Sequence, residues 1–130
     1  MRLVALLLLA LALLVAPPAI IASSAEEATL VFVPGTEDVP LMAGLSPLPE
    51  GGLVFDKPEG RIVQAQAEGA VARPAVRKFY RDSLAALGWV RSGTDRWTRE
   101  SEVLKVDFHG RDGKLTVAFT LSPAPQQAPR

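Results

Sequence analysis

The clearest pattern of apolar and polar positions lies between residues 73 and 88 and has the period of a helix. A single apolar stripe follows helical spacing and consists of Val76, Phe79, Tyr80, Leu84 and Leu87. Pro74 suits a first helical turn because its missing N–H would have no partner there. Gly88 suits the left-handed position that closes a helix. The pattern therefore predicts one amphipathic helix that begins near Arg73 and ends at Gly88.

On both sides of this helix the apolar and polar residues alternate with a period of two, which is typical of half-buried strands. Before the helix, residues 61–69 alternate and residues 53–56 form a shorter apolar run. After the helix, further strands are predicted at residues 89–92, 96–100, 103–109 and 114–122. The predicted order of elements is β-β-α-β-β-β-β.

The last two predicted strands form a hairpin around the sequence Gly-Arg-Asp-Gly at residues 110–113. A two-residue turn at Asp112–Gly113 would pair Phe108 with Val117, whereas a four-residue loop would pair Phe108 with Leu115. Both registers place apolar side chains opposite one another, so the pattern leaves both open.

These elements predict an α+β fold in which one amphipathic helix packs on one face of a mostly antiparallel sheet. We expect the helix to lie on the face that carries Val63, Ala65 and Ala67. The other face should expose Gln64, Gln66, Glu68, Lys105, Asp107, His109, Thr116 and Thr120. Trp89 and Trp97 should pack in the core, and Tyr80 should border the core with its hydroxyl at the surface.

Residues 1–25 have the pattern of a signal peptide: Arg2, an apolar run from Leu3 to Ala16, and then small residues. We predict cleavage after Ala25 and a periplasmic or secreted protein with no membrane span after cleavage. The alternative is an uncleaved anchor in the inner membrane, because counting through the prolines to Ala22 gives a segment long enough to span.

Beyond the signal peptide, the composition divides the chain into three parts. Residues 26–52 are rich in Pro and Gly and predict an extended leader, residues 53–122 hold the α+β domain, and residues 123–130 read as a disordered tail. The chain has no cysteine, so packing alone must stabilise the exported domain.

The mature chain would have 14 − 1 = 13 basic residues against 14 acidic ones, which argues against nucleic-acid binding. The charges are unevenly distributed. Residues 26–72 hold eight acids and two basic residues, whereas residues 73–105 hold eight basic residues and four acids. Either the two halves pair across the fold, or a basic patch serves an anionic envelope partner.

Several of these features occur together in a known class of small bacterial domains that are exported or lipid-anchored. The pattern is a Val-Pro pair with a nearby glycine, a strand, a helix with the motif FYxxxLxxLGW, and further strands. Its residues here are Val39, Pro40, Gly44, Phe79, Tyr80, Leu84, Leu87, Gly88 and Trp89. The chain resembles this class over residues 39–122, and the resemblance implies an exported α+β module. The chain lacks the cysteine that lipid-anchored members of this class carry at the signal junction.

The sequence shows few groups that could perform catalysis or bind a metal. With one histidine and no cysteine there is no metal-ligand cluster, and no serine lies in a nucleophile motif. We predict no catalytic residue, metal or cofactor. The only base with a nearby acid is His109 with Asp107; together with Gln64 they define an alternative site on the open sheet face.

The function predicted from the sequence is therefore a non-catalytic envelope module that binds an envelope protein or an anionic polymer. Its candidate binding residues are Arg73, Arg77 and Arg81, which repeat every four residues beside the apolar stripe. The alternative is a small-ligand-binding domain or minor hydrolase that uses Gln64, Asp107 and His109.

Overall fold

An antiparallel sheet of seven strands forms the centre of the computed structural model, which describes residues 29–125. In chain order the elements are β1 Ser46–Pro47, β2 Leu53–Lys57, β3 Gly60–Gly69, α1 Arg73–Ala86, β4 Val90–Gly93, β5 Arg96–Arg99, β6 Glu102–Arg111 and β7 Lys114–Pro123. The strand order is β1-β3-β7-β6-β5-β4, and β2 also pairs with β3. The predicted α+β fold is confirmed, with the two-residue β1 as an additional strand.

The predicted signal peptide, its cleavage site and residues 126–130 lie outside the described residues. Pro123 still belongs to β7, and the Ala124 N–H donates to the Ser101 carbonyl at 2.7 Å. Ordered chain therefore continues past residue 122. Within residues 29–125 no helix is long and apolar enough to cross a bilayer.

The register of the central strands separates an apolar face from a polar one. On the apolar face β3 and β7 pair Ala65 with Phe119 and Ala67 with Val117, and all four side chains are buried. On the opposite face the same strands and β6 carry the eight polar residues that alternation predicts. Period-two patterning thus assigned each side chain to its face correctly.

The β6–β7 hairpin closes through a two-residue turn. Arg111 pairs with Lys114 and Phe108 pairs with Val117, so the two-residue register is the right one of the two alternatives. Gly113 has a φ of 87° at the second position of the turn, a left-handed conformation that favours glycine.

The C-terminus of α1 is closed by a Schellman motif. Gly88 has a φ of 86°, and its N–H donates to the Ala85 carbonyl at 3.2 Å. The Trp89 N–H donates to the Leu84 carbonyl at 3.0 Å, and both of these side chains are buried. The left-handed conformation favours glycine, which explains why the helix ends here and delivers Trp89 into the core.

The Pro/Gly-rich leader packs on the helix side of the sheet and contributes Val33, Val39 and Leu45 to the core. Its backbone passes so close to β3 that a Cβ on Gly69 would lie 1.9 Å from the Gly44 carbonyl oxygen. A side chain at residue 69 would displace the leader. The leader is therefore part of the folded domain, although its sequence has no strand or helix period.

Tyr80 is buried rather than at the border of the core, so the prediction of a surface hydroxyl is wrong. Its side chain is 1% exposed and meets Phe119 edge-on, with ring centroids 5.3 Å apart. Its hydroxyl donates to the Pro40 carbonyl at 3.0 Å and accepts from the Met42 N–H at 3.3 Å. The hydroxyl finds its partners in the leader, which the sequence pattern does not position.

Removing this hydroxyl should weaken the attachment of the leader. Tyr80→Phe leaves the Met42 N–H and the Pro40 carbonyl without their partner, so we expect a loss of about 1–3 kcal/mol in the free energy of unfolding. Urea unfolding followed by tryptophan fluorescence measures the loss, and amide hydrogen exchange at Met42 should accelerate. Ser83→Ala is the matched control because it removes a hydroxyl that bonds only within α1. Equal losses in the two variants would contradict the bridging role.

The same residue should produce a distinctive loss of stability at alkaline pH. Burial raises the pKa of Tyr80 above its ordinary value of 10.0. The unfolded chain then ionises near pH 10 while the folded chain keeps the proton. Stability is complete below that pH and falls above it, by up to about 1.4 kcal/mol per pH unit. Because the chain has one tyrosine, the alkaline profiles of the parent and Tyr80→Phe should differ by this slope. Superimposable profiles would contradict it.

Candidate functional site

The three predicted arginines line the exposed side of α1, one turn apart. The helix runs for 14 residues, so residues 73, 77 and 81 follow one another along most of its length. The side chains of Arg77 and Arg81 are 44% and 57% exposed. The structure therefore places the predicted cations together on one accessible surface, which we call the arginine face.

Two of these cations share one aromatic ring. The guanidinium carbons of Arg73 and Arg77 lie 5.4 Å and 5.2 Å from the centre of the Phe108 ring. Phe108 is half-buried on the helix side of β6, next to the core. Cation–π attraction to a ring fixed in this way restrains both guanidinium groups at the surface.

Arg77 is also bound by an internal carboxylate. Its Nε donates to both carboxylate oxygens of Asp95 at 3.0 and 3.1 Å, and its Nη2 donates to one of them at 2.7 Å. The Asp95 side chain is only 13% exposed, in the turn between β4 and β5. These hydrogen bonds raise the pKa of Arg77 above its ordinary value. Arg77 thus joins the helix to the sheet, and Asp95 pairs with its charge through the Nε–H and one Nη2–H.

Arg73 and Arg81 are bound less tightly. The nearest carboxylate to Arg81 is Asp82, at 4.0 Å, and Asp82 is already paired with Lys78 at 2.5 Å. The Lys78 hydrogen bond is the main cause of the lowered pKa of Asp82. Exposed pairs of this kind contribute little to stability. Arg73 and Arg81 are therefore the members of the arginine face with capacity for an external anion.

The N-terminus of α1 is capped from a distant part of the chain. The residue before the helix, Ala72, offers no side-chain acceptor, and Oδ1 of Asp112 accepts from the Arg73 N–H at 2.9 Å. The Gly113 N–H donates to the Val71 carbonyl at 3.0 Å. The β6–β7 turn therefore supplies the cap and holds the first turn of the helix, and with it Arg73, against the sheet.

The predicted pairing between the acidic and basic halves is mostly not realised. Among ion pairs within residues 29–125, one joins the halves, between Asp38 and Arg99 at 2.6 Å. Arg99 also donates to the Leu87 carbonyl at 3.2 Å and stacks 4.4 Å from the Trp89 ring. This pair attaches the leader to the core. Each of the other pairs lies within one half, so most of the basic excess of residues 73–105 stays uncompensated by the leader.

The residues of the alternative site, Gln64, Asp107 and His109, do not come together at one point. Gln64 pairs with Thr120, whereas Asp107 pairs with Ala118 on the far side of β7. Gln64 and Asp107 are therefore two strands apart and one side-chain row out of line. Asp107 forms an ion pair with Lys105 at 3.2 Å, and His109 is exposed next to the hairpin turn. The three residues share a face, but the geometry gives them no common point for a ligand or reacting atom.

Comparisons with protein-family models, with curated proteins and with solved structures find no significant match to this chain. The resemblance to small exported bacterial domains stays a prediction. Within residues 29–125 no group of acidic, histidine or cysteine side chains has the arrangement of a metal site.

Sequence reasoning missed the three residues that organise the arginine face: Phe108, Asp95 and Asp112. The alternation predicted the face of the sheet on which Phe108 lies, but not which helix residues cover it. Asp112 lies in the predicted hairpin turn, and a helix start with no capping side chain of its own was the available signal that another segment supplies one.

Two substitutions of Asp112 test whether its side chain stabilises α1 by capping it. Asp112→Ala removes the acceptor of the Arg73 N–H and should lower the free energy of unfolding by about 1 kcal/mol. Asp112→Asn keeps an acceptor oxygen and a residue that suits the turn, so it should retain most of that stability. Urea unfolding of the three proteins measures both effects. Equal losses in the alanine and asparagine variants would show that the hydrogen bond is not what stabilises the helix.

Proposed function

We propose that the chain is a non-catalytic envelope module that binds an acidic partner, either a protein or an anionic polymer, through the arginine face of α1. The observation that carries the proposal is the placement of Arg73 and Arg77 over one fixed ring, with Arg81 one turn further on. The ring restrains Arg73, so this cation loses less conformational freedom on binding than a free one would, which favours affinity for an anion. The export that the proposal assumes rests on the pattern of residues 1–25.

Within this surface the roles differ. Arg77 is a positioning residue because Asp95 occupies it and the pair fixes the helix to the β4–β5 turn. Arg73 and Arg81 would contact the partner, and they lie two turns apart, about 12 Å along the helix. A ligand with carboxylates or phosphates repeated over such a distance fits both. A single small anion reaches one of them.

The test compares two double charge reversals with the same change in net charge. Arg73→Glu/Arg81→Glu alters the arginine face, and Arg91→Glu/Arg96→Glu alters exposed arginines of β4 and β5. The probes are polyglutamate and vesicles that contain an anionic phospholipid, measured at several salt concentrations. We expect the first variant to bind at least about tenfold more weakly, which corresponds to about 1.4 kcal/mol, with a shallower salt dependence.

The two variants also separate a specific surface from a general charge effect. Circular dichroism and urea unfolding should show that both remain folded. If both variants lose binding equally, net charge and not the arginine face is responsible. If the first variant binds both probes as the parent does, the proposed function fails.

A further inference from the structure

The leader contains a short antiparallel hairpin with one closed edge and one open edge. The Val33 N–H donates to the Val39 carbonyl at 2.8 Å, and the Leu41 N–H donates to the Val31 carbonyl at 2.7 Å, with Phe32 opposite Pro40. Successive residues of a strand direct their backbone groups to alternate sides. The N–H and carbonyl of Phe32 therefore face away from the hairpin.

The two edges of this hairpin differ in whether their backbone groups have hydrogen-bond partners. On the inner edge, the Tyr80 hydroxyl bonds both the Pro40 carbonyl and the Met42 N–H, as a neighbouring strand would. On the outer edge, no group within residues 29–125 bonds the Phe32 N–H or carbonyl. Residues 30–32 thus present an unpaired strand edge, which we call the leader edge.

The side chains of the leader edge lack the features that normally protect such an edge. Leu30, Val31 and Phe32 are 73%, 52% and 41% exposed, and residues 29–33 carry no charge. Natural proteins usually place lysine, proline or a bulge on exposed edges, because an apolar edge recruits another strand. Here Pro34 alone interrupts it, at one end.

We propose that the leader edge pairs with the leader edge of a second copy of the chain, antiparallel and with a two-fold axis at Phe32. In this register each Phe32 N–H meets the Phe32 carbonyl of the other copy, so both unpaired groups are satisfied. Leu30 of each copy lies opposite Pro34 of the other, and the missing N–H of proline ends the ladder there. An interface closed by a two-fold axis gives dimers and not fibres. The proposal does not rest on the arginine face.

The pairing is weak by its size. Three apolar side chains from each copy cover far less than the roughly 800 Å² per partner of a standard stable interface. The dimer therefore forms where the local concentration is high, and a covalent trap detects it better than an equilibrium measurement on dilute protein.

Because the chain has no cysteine, substitutions that introduce a single cysteine can test the register of the two leader edges by disulfide cross-linking in the full-length chain. Across an antiparallel hydrogen-bonded pair the Cα atoms are about 5.5 Å apart, within the span of a disulfide, so Phe32→Cys should cross-link when cells producing the chain are oxidised. Leu30→Cys would lie about 13 Å from its copy and should not. Val90→Cys, on an exposed residue of β4, is the control for random collision. We expect Phe32→Cys to give at least about tenfold more dimer than either.

Phe32→Cys also removes apolar surface, so a second arm keeps an aromatic side chain by placing a photoreactive benzophenone at residue 32. An adduct of twice the chain mass supports the proposal. An adduct with another protein, with lipid or with residues 1–28 of the same chain overturns it, as does equal cross-linking of the Leu30→Cys and Phe32→Cys variants or no dimer in either arm. Arg73→Glu/Arg81→Glu should leave the cross-linking unchanged, which separates this proposal from the proposed function.

Discussion

The hydroxyl of Tyr80 connects the two parts of the molecule that the chain order keeps apart. Its ring packs against Phe119 on the sheet, and its oxygen bonds two backbone groups of the leader about 40 residues earlier in the chain. A buried hydroxyl with both donor and acceptor satisfied is stable, whereas the same hydroxyl without the leader would be an unpaired polar group in an apolar core. The position of the leader and the burial of Tyr80 therefore depend on each other.

Much of the fold could be predicted because its determinants are local. Alternation assigned the faces of β3, β6 and β7, and the apolar stripe together with Gly88 located α1 and its end. The features that could not be predicted join distant residues. The leader has no period that would reveal burial of Val39, and neither the Tyr80 hydroxyl nor the Asp112 cap has a partner within 30 residues. Hydrophobic patterning reports which face is buried, but it does not report what covers that face.

The arginine face shows the same division between local features, which the sequence predicts, and contacts between distant residues, which it does not. Spacing of four residues along a helix correctly placed Arg73, Arg77 and Arg81 on one side. It did not distinguish the occupied Arg77 from the other two, because that distinction depends on where the β4–β5 turn brings Asp95. Charge counting over halves of the chain was a poor guide to pairing, since most ion pairs of the described residues form between near neighbours. The structure thus separates Arg77, which Asp95 holds, from Arg73 and Arg81, which are bound less tightly.

The position of β7 in the sheet has a consequence for how the fold is reached. This strand lies between β3 and β6, although it is the last of the seven to be synthesised. Until Pro123 has emerged, β3 and α1 have no central strand on which to assemble. The complete sheet can therefore form only after its last strand has been synthesised. Its assembly depends on contacts of long sequence separation, which slow folding.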